Sequence, residues 1–536
     1  MELMFIGADH EVTGSCHYLQ VGKRKILVDY GMEQGMDLFE NSELPVKASE
    51  IDYVLLTHAH IDHSGLLPKL YHDGFRGSVV CTPATAKLCD IMLRDAAHIQ
   101  QTEMEWRNRK ARRATQNKLV EPLYTMEDTL AVIRQFVPYE YDKIFSLCEG
   151  VRFRFTDIGH LLGSASIELW LEEGNTQKKI VFSGDIGNKN QPLLRDPSTT
   201  KDADYVVMES TYGDRLHDRT ETDIVGDLAD IISKTLSRGG NVVIPSFAIG
   251  RTQVILYYIR QIKEQNMVPE MPDFPVYVDS PLAVEATEIF YECGDECYDE
   301  EAKELLAKGI NPISFPNLKL SISTIESKAI NDDAEPKVII SASGMCDAGR
   351  IRHHFKYNLW RPESTVVFVG YQAPGSPGRK LLDGVEALKL FGEEVAVRAE
   401  IFQLPGMSGH ADKQGLIDWI SAFETKPTQL FVVHGEDTVT ESFARTLQET
   451  LELNAMAPYS GTRYDLANGK FIAVTKGVRI PGAGERKGQV VSDSYTNMLN
   501  AGKKLQSFIK ESRGWPNKDM DKFVKELDAL CEKYKR

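Results

Sequence analysis

Long apolar runs are missing from this 536-residue sequence, which excludes a helical membrane span. The N-terminus, Met1-Glu-Leu-Met-Phe-Ile-Gly, lacks the basic region that opens a secretory signal. Glu2, Asp9, His10 and Glu11 break up its apolar residues, so it reads as a buried strand, and the expected compartment is the cytoplasm. Cysteine is sparse and scattered, at 16, 81, 89, 148, 293, 297, 346 and 531, which argues against a disulfide framework. Cys293 and Cys297 stand four apart, but no second pair completes a four-ligand metal site, so two thiols on one helix face are expected. Positive charge is in deficit: 62 Lys and Arg against 78 Asp and Glu leave a net charge of −16. That speaks against a non-specific nucleic-acid coat, although an enzyme whose basic groups are local can be acidic overall. Internal repeats and low-complexity linkers are absent too.

What is present is core material. With 42% hydrophobic and 26% charged residues, the composition is that of a globular protein, and the length suits two or three folding units. The first half alternates short β-rich runs, such as Lys25-Ile-Leu-Val-Asp and Asp52-Tyr-Val-Leu-Leu-Thr, with helical segments such as Ala86 to about Arg113. This is the pattern of a layered α/β domain. Beyond residue 210 a second pattern begins. Asn241-Val-Val-Ile-Pro, Pro275-Val-Tyr-Val-Asp, Lys337-Val-Ile-Ile-Ser and Thr365-Val-Val-Phe-Val-Gly are near-continuous apolar strands, as in a parallel sheet covered on both faces. Gln429-Leu-Phe-Val-Val-His returns to the style of the first half, so the second unit reads as an insertion. The tail carries two apolar helical stripes, one through Tyr495, Met498, Leu499, Leu505, Phe508 and Ile509, the other through Phe523, Val524, Leu527, Leu530 and Cys531. They suit docking on the core or on a second copy of the chain, which leaves room for a homodimer.

Chemistry concentrates at strand ends. His58-Ala-His-Ile-Asp-His63 follows the strand Tyr53–Thr57, placing four ligand-type side chains within six positions of a rigid terminus. Imidazole and carboxylate together suit Zn²⁺, with Mn²⁺ as the alternative for a mixed nitrogen–oxygen set. His160, Asp185 and His434 also stand in loops beside strands; each alone would pass for an ordinary loop residue, and their weight comes from recurrence.

With that run, the chain resembles the metallo-β-lactamase superfamily, whose HxHxDH motif stands here as His58–His63. The resemblance implies His58, His60 and His160 on one zinc, Asp62, His63 and His434 on a second, and Asp185 between them. Asp29 matches a position that orients ligand imidazoles. Further runs, namely Glu209-Ser-Thr-Tyr-Gly-Asp, Pro245-Ser-Phe-Ala-Ile-Gly-Arg-Thr-Gln, Val278-Asp-Ser-Pro-Leu-Ala, Ser341-Ala-Ser-Gly-Met and Ser408-Gly-His-Ala-Asp, are similar in order to the β-CASP nucleases. The likeness is to their short bacterial and archaeal members and to the pre-mRNA 3′-end-processing endonuclease, and it covers residues 1 to about 480.

The resemblance implies a four-layered αββα domain in two parts (1–209 and 396–485), an inserted α/β β-CASP domain (210–395) and a helical C-terminal extension (486–536). It implies a ribonuclease with two Zn²⁺ per chain acting on single-stranded RNA, as an endonuclease with exonuclease action as a further expectation, and with no membrane partner. Asp62 and Asp185 would serve catalysis as well as metal binding, with His410 as general acid and Glu209 raising its pKa. Phosphates are expected at Ser246, Arg251, Ser343, Gly344, Arg350, Arg379 or Lys380, although each is equally well an ordinary loop residue. Two positions depart from the family: Val254 where glutamate is frequent, and Gly375-Ser-Pro-Gly where Gly-Thr-x-Gly is common. The rival readings are a DNA-directed nuclease and a non-nuclease hydrolase of the same fold; His434 weighs against the first, Glu209 and His410 against the second. The cluster Arg107–Arg113 is the one dense basic run, for which a solvated helix face is the plain expectation.

Overall fold

A computed structural model describes residues 1–35, 38–113, 121–217, 223–373, 375–404, 408–480, 505, 508–509 and 517–534. Two compact units divide the chain, Met1–Ile480 and Pro481–Arg536.

Alternation along the strands dictates the layering of the first unit. An eight-stranded sheet contains Glu2–Gly7, Cys16–Val21, Arg24–Val28, Tyr53–Leu55 and Ser78–Cys81, and a seven-stranded sheet contains Val151–Asp157, Ala165–Glu173, Thr176–Phe182, Tyr205–Glu209 and Gln429–Val433. Leu3, Phe5, Leu19 and Val28 of the first sheet pack against Phe153, Leu169, Val207 and Phe431 of the second, so the sheets lie face to face. On the strand Tyr205–Glu209 the neighbours Val206 and Met208 point the other way, into a core with Trp419, Ile420, Phe443 and Leu447. On the opposite flank, Tyr18, Leu27 and Val54 pack with Leu67, Leu70 and Leu88. Helix, sheet, sheet, helix is the result, the four-layered order that the resemblance implies.

Within it stands a six-stranded sheet, in the order Leu318–Ser321, Val276–Asp279, Val338–Ser341, Val242–Pro245, Thr365–Phe368, Glu400–Gln403, with every pairing parallel. Val242, Val243 and Ile244 are fully buried, as the unbroken apolar run requires. The last strand ends at Gln403, beyond residue 395. Helices flank the sheet: Ile224–Ser237, capped by the Asp223 side chain, and Arg251–Glu264. The C-terminal unit contains the helix Asn517–Tyr534. Phe508 packs on Phe523, while Tyr495, Met498 and Leu499 of the first expected stripe lie outside the described residues.

The strands that matter most run parallel. Arg24–Val28 pairs with Tyr53–Leu55 in one sheet, and Thr176–Phe182, Tyr205–Glu209 and Gln429–Val433 pair in the other. Their carboxyl ends open at the same edge of the sandwich. Asp29, His58, Asp185, Glu209 and His434 all stand there.

Candidate metal centre

Three groups of ligand-type side chains converge among the described residues: His58, His60, His160 and Asp185; Asp62, His63 and His434; and Asp185, Glu209 and His410. Within each group the facing atoms lie within 4.8 Å of one another. Asp185 belongs to two of them.

In the first group His60 Nδ1 is 3.1 Å from His58 Nε2 and 3.2 Å from His160 Nε2, and Asp185 Oδ2 is 3.4 and 3.5 Å from the same two Nε2 atoms. A tetrahedron with metal–ligand bonds of 2.0–2.1 Å has edges of about 3.3 Å. In the second group His63 Nε2 and His434 Nε2 are 3.2 Å apart, Asp62 Oδ2 is 3.7 Å from His434 Nε2, and Asp185 Oδ1 lies 3.3 Å from His63 Nε2 and 3.6 Å from His434 Nε2. Asp185 Oδ1 is buried and accepts no well-formed hydrogen bond, a condition a cation would relieve. The donor set therefore fits a pair of divalent cations with Asp185 between them.

The outer ring nitrogens settle which inner ones are free to ligate. His63 Nδ1 donates to Asp29 Oδ2 at 2.7 Å, and His160 Nδ1 donates to the Gly409 carbonyl at 3.3 Å. Thr57 Oγ1 gives its proton to Asp29 Oδ2 at 2.8 Å and so accepts from His58 Nδ1 at 3.1 Å. Thr211 Oγ1 gives its proton to the His434 carbonyl at 3.3 Å and accepts from His434 Nδ1 at 3.1 Å. Each outer nitrogen thus carries a proton, so the inner Nε2 is the one with a lone pair in the neutral imidazole. Thr57 and Thr211 were invisible as orienting groups in the sequence: Thr57 merely precedes His58, and Thr211 is 223 positions from His434, so neither carries a signal until the fold turns its hydroxyl inward.

Backbone conformation contributes as well. His434 adopts φ 50°, a left-handed region that non-glycine residues seldom enter. Its N–H donates to the Ala8 carbonyl at 2.7 Å, so the first strand's end holds the last ligand in place. Gly184 precedes Asp185 at φ 58°, and a Cβ there would sit 2.9 Å from the Thr57 Cβ. Glycine lets the two sheet edges close.

Electrostatics divide the histidines. Burial, reinforced by neighbouring imidazoles, drives His58 and His160 well below the usual imidazole range, so they are neutral bases. Burial also opposes charge on His63 and His434, but Asp185 together with Asp29 at the first and Asp62 at the second outweighs it and holds both above that range. Burial likewise disfavours ionised Asp185, yet His434, His63 and His58 keep it well below the carboxylate range. His63 and His434 would have to give up a proton to hold a cation here.

Next to Asp185 sits the pair Glu209 and His410. Glu209 ends its strand almost fully buried; its carboxylate accepts from the Ile186 and Thr211 N–H groups and lies 3.2 Å from His410 Nδ1. His410 is held by a bridge to Gly187, and its Nε2 is 4.0 Å from Asp185 Oδ2. Burial alone would lower its pKa, but Glu209 dominates and raises it to about 9.

The other expected contacts separate by what they already bond. The Ser246 hydroxyl is buried and donates to the Phe247 carbonyl. Arg350 is committed to Asp279 and to the Ser321 and Ile322 carbonyls. Arg379 pairs with Asp383 at 2.9 Å, and the Ser343 hydroxyl donates to Asp347 at 2.8 Å. Gly344 lies under the Phe247 ring, where a Cβ would come within 3.1 Å. Lys380 is exposed. Arg251 differs: among the described residues its guanidinium has no ion pair, and burial lowers its pKa to about 10 beside Tyr258 and Tyr212.

We expect Thr211→Val, which keeps the size but removes the acceptor for His434 Nδ1, to weaken metal binding about 10–100-fold. Competition against a chromophoric chelator measures it, and an affinity equal to wild type would mean that the hydroxyl does not orient His434.

Comparison with known proteins agrees with this geometry. Residues 11–223 match the metallo-beta-lactamase superfamily, residues 252–381 the Beta-Casp domain, and residues 394–458 a Zn-dependent metallo-hydrolase RNA specificity domain. Ribonuclease TTHA0252 of Thermus thermophilus is 37% identical over 438 residues, which cover 82% of this chain and 94% of that protein. The transcription termination factors FttA of Methanosarcina mazei and Pyrococcus abyssi are 28% identical over 466 residues and 29% identical over 474, in each case 84% of this chain and 69% of theirs.

Proposed function

Because this chain belongs to the β-CASP family of the metallo-β-lactamase superfamily, we propose that it is a ribonuclease that hydrolyses single-stranded RNA at a centre of two Zn²⁺. The observation that carries this reading is the His410–Glu209 pair, 3.2 Å apart and set against the Asp185 carboxylate that faces both ligand groups. A plain metallohydrolase needs the ligands alone, whereas cleaving a phosphodiester also requires a proton for the departing oxygen.

His58, His60, His160 and Asp185 would hold one cation, and Asp62, His63, His434 and Asp185 the other. Cations there acidify water and offset the charge that builds on the phosphate. The chain supplies the rest. Glu209 keeps His410 protonated at neutral pH, and His410 Nε2 donates to the leaving oxygen. Arg251 supplies an unpaired, half-buried positive charge for a substrate phosphate, held at the start of the helix Arg251–Glu264. The inserted domain, which we place from residue 210 through the strand ending at Gln403, forms the second wall of the cleft.

No helix among the described residues is long and apolar enough to cross a membrane, and we place the enzyme in the cytoplasm. The exposed Phe508, Ile509 and Val524 of the C-terminal unit support a homodimer.

The test is to incubate purified protein with single-stranded RNA and matched DNA, with metal content and light-scattering mass measured on the same sample. RNA should be cut, DNA spared, and about two zincs found per chain. Intact RNA beside a fully metallated protein would overturn the reading.

A further inference from the structure

One surface remains unused by the centre. The helix Pro83–Arg113 starts beside the His160 loop, where the Thr82 and Thr85 hydroxyls both donate to the Gly163 carbonyl, at 2.6 and 2.8 Å. At 1.5 Å per residue it carries Trp106 about 35 Å from that start. Trp106 is 58% exposed, and Lys110 Nζ lies 5.3 Å over its ring. Arg107, Arg109, Lys110 and Arg112 are exposed, and only Arg107 has an acidic partner among the described residues, a long 3.6 Å contact with Glu103. Trp106, Arg109 and Lys110 share one face by the i, i+3, i+4 rule, which Ile99, 49% exposed, extends towards the centre.

On a solvated helix face, cations commonly pair with acidic residues at i, i+4. Here Arg109 and Lys110, without acidic partners among the described residues, flank an exposed indole, with Arg112 one turn on from Arg109, in a chain of net charge −16. We infer that the far end of this helix, around Trp106, Arg109, Lys110 and Arg112, is a second docking surface for single-stranded RNA, remote from the metal centre. Cations would engage phosphates and the indole would stack a base; both features are tolerant of sequence. The surface would thus add affinity for long RNA and none for a fragment too short to reach it.

The inference rests on the RNA reading above, but its test does not require cleavage. Binding of a long and a short fluorescent single-stranded RNA would be followed by anisotropy across a salt series, in a His410→Ala background that leaves the RNA intact. Arg109→Glu/Lys110→Glu/Arg112→Glu should weaken the long RNA about tenfold or more at low salt. It should also make its salt dependence shallower by roughly 2 in log–log slope, at about 0.7 per cation lost. The short RNA should bind as before. The charge-matched control Lys201→Glu/Lys308→Glu/Lys426→Glu, at exposed sites elsewhere, should leave the slope unchanged. Glutamate and glutamine are both good helix formers, so Arg109→Gln/Lys110→Gln/Arg112→Gln gives a milder second variant. Trp106→Ala should weaken the long RNA without changing the slope. Equal losses on both RNAs, equal effects of patch and control, or no effect at all would each overturn the surface. Failure of wild-type protein to cut RNA would instead overturn the function proposed above.

Discussion

His410→Ala is expected to lower kcat on RNA by about 10²–10⁴, some 3–5 kcal/mol of barrier, with metal content unchanged. The reason is positional. His410 is joined to Glu209 at 3.2 Å and stays 4.0 Å from Asp185 Oδ2, so removing it leaves the seven side chains of the two ligand groups in place. A phosphodiester with a nitrophenol leaving group needs no protonation and should lose far less. Glu209→Gln tests the pair from the other side. His410 acts in its protonated form, so activity falls as pH rises through its pKa. Burial lowers that pKa and Glu209 lifts it to about 9; bound cations beside Asp185 pull it down from there. Without the carboxylate the alkaline limb of the rate profile should move to lower pH. Wild-type rates from His410→Ala on RNA would refute the general-acid role.

Asp185→Ala should be more damaging still. Its two oxygens face different ligand groups, Oδ2 towards His58 and His160, Oδ1 towards His63 and His434. No other side chain among those converging at the centre spans both. We expect elemental analysis to find fewer than two zincs per chain and RNA cleavage to fall about 10³-fold or more. Asp185→Asn keeps the shape but lacks the charge that offsets two cations and should fail similarly. Full metal content with full activity would show that the two groups need no common carboxylate.

How far these sites could be read from sequence depends on whether a residue's role is local. The HxHxDH run announces itself because four ligand types crowd one strand end, and the sandwich follows from alternation such as Tyr205–Val206–Val207–Met208, whose members face opposite cores. Thr57, Thr211 and the Gly409 carbonyl orient imidazoles only because distant strands meet, and no spacing reveals that. The converse limit appears at Ser246 and Arg350. Their loops look right for anions, but one hydroxyl is already donated to Phe247 and one guanidinium to Asp279, commitments that exist only in three dimensions. Arg251, at the start of its helix, differs in that its guanidinium has no ion pair among the described residues.

The left-handed His434, tied through its N–H to Ala8 at the end of the first strand, also has a meaning in time. A ribosome delivers His58 to Asp185 early, yet His434, the last of the converging side chains in chain order, emerges only after the whole inserted sheet and His410 have been made. Synthesis proceeds from the N-terminus and domains fold as they appear. On the proposed two-cation reading, a nascent chain that has not yet reached His434 would lack one side chain of the second group, and the centre would be complete only once the strand Gln429–Val433 pairs beside Tyr205–Glu209.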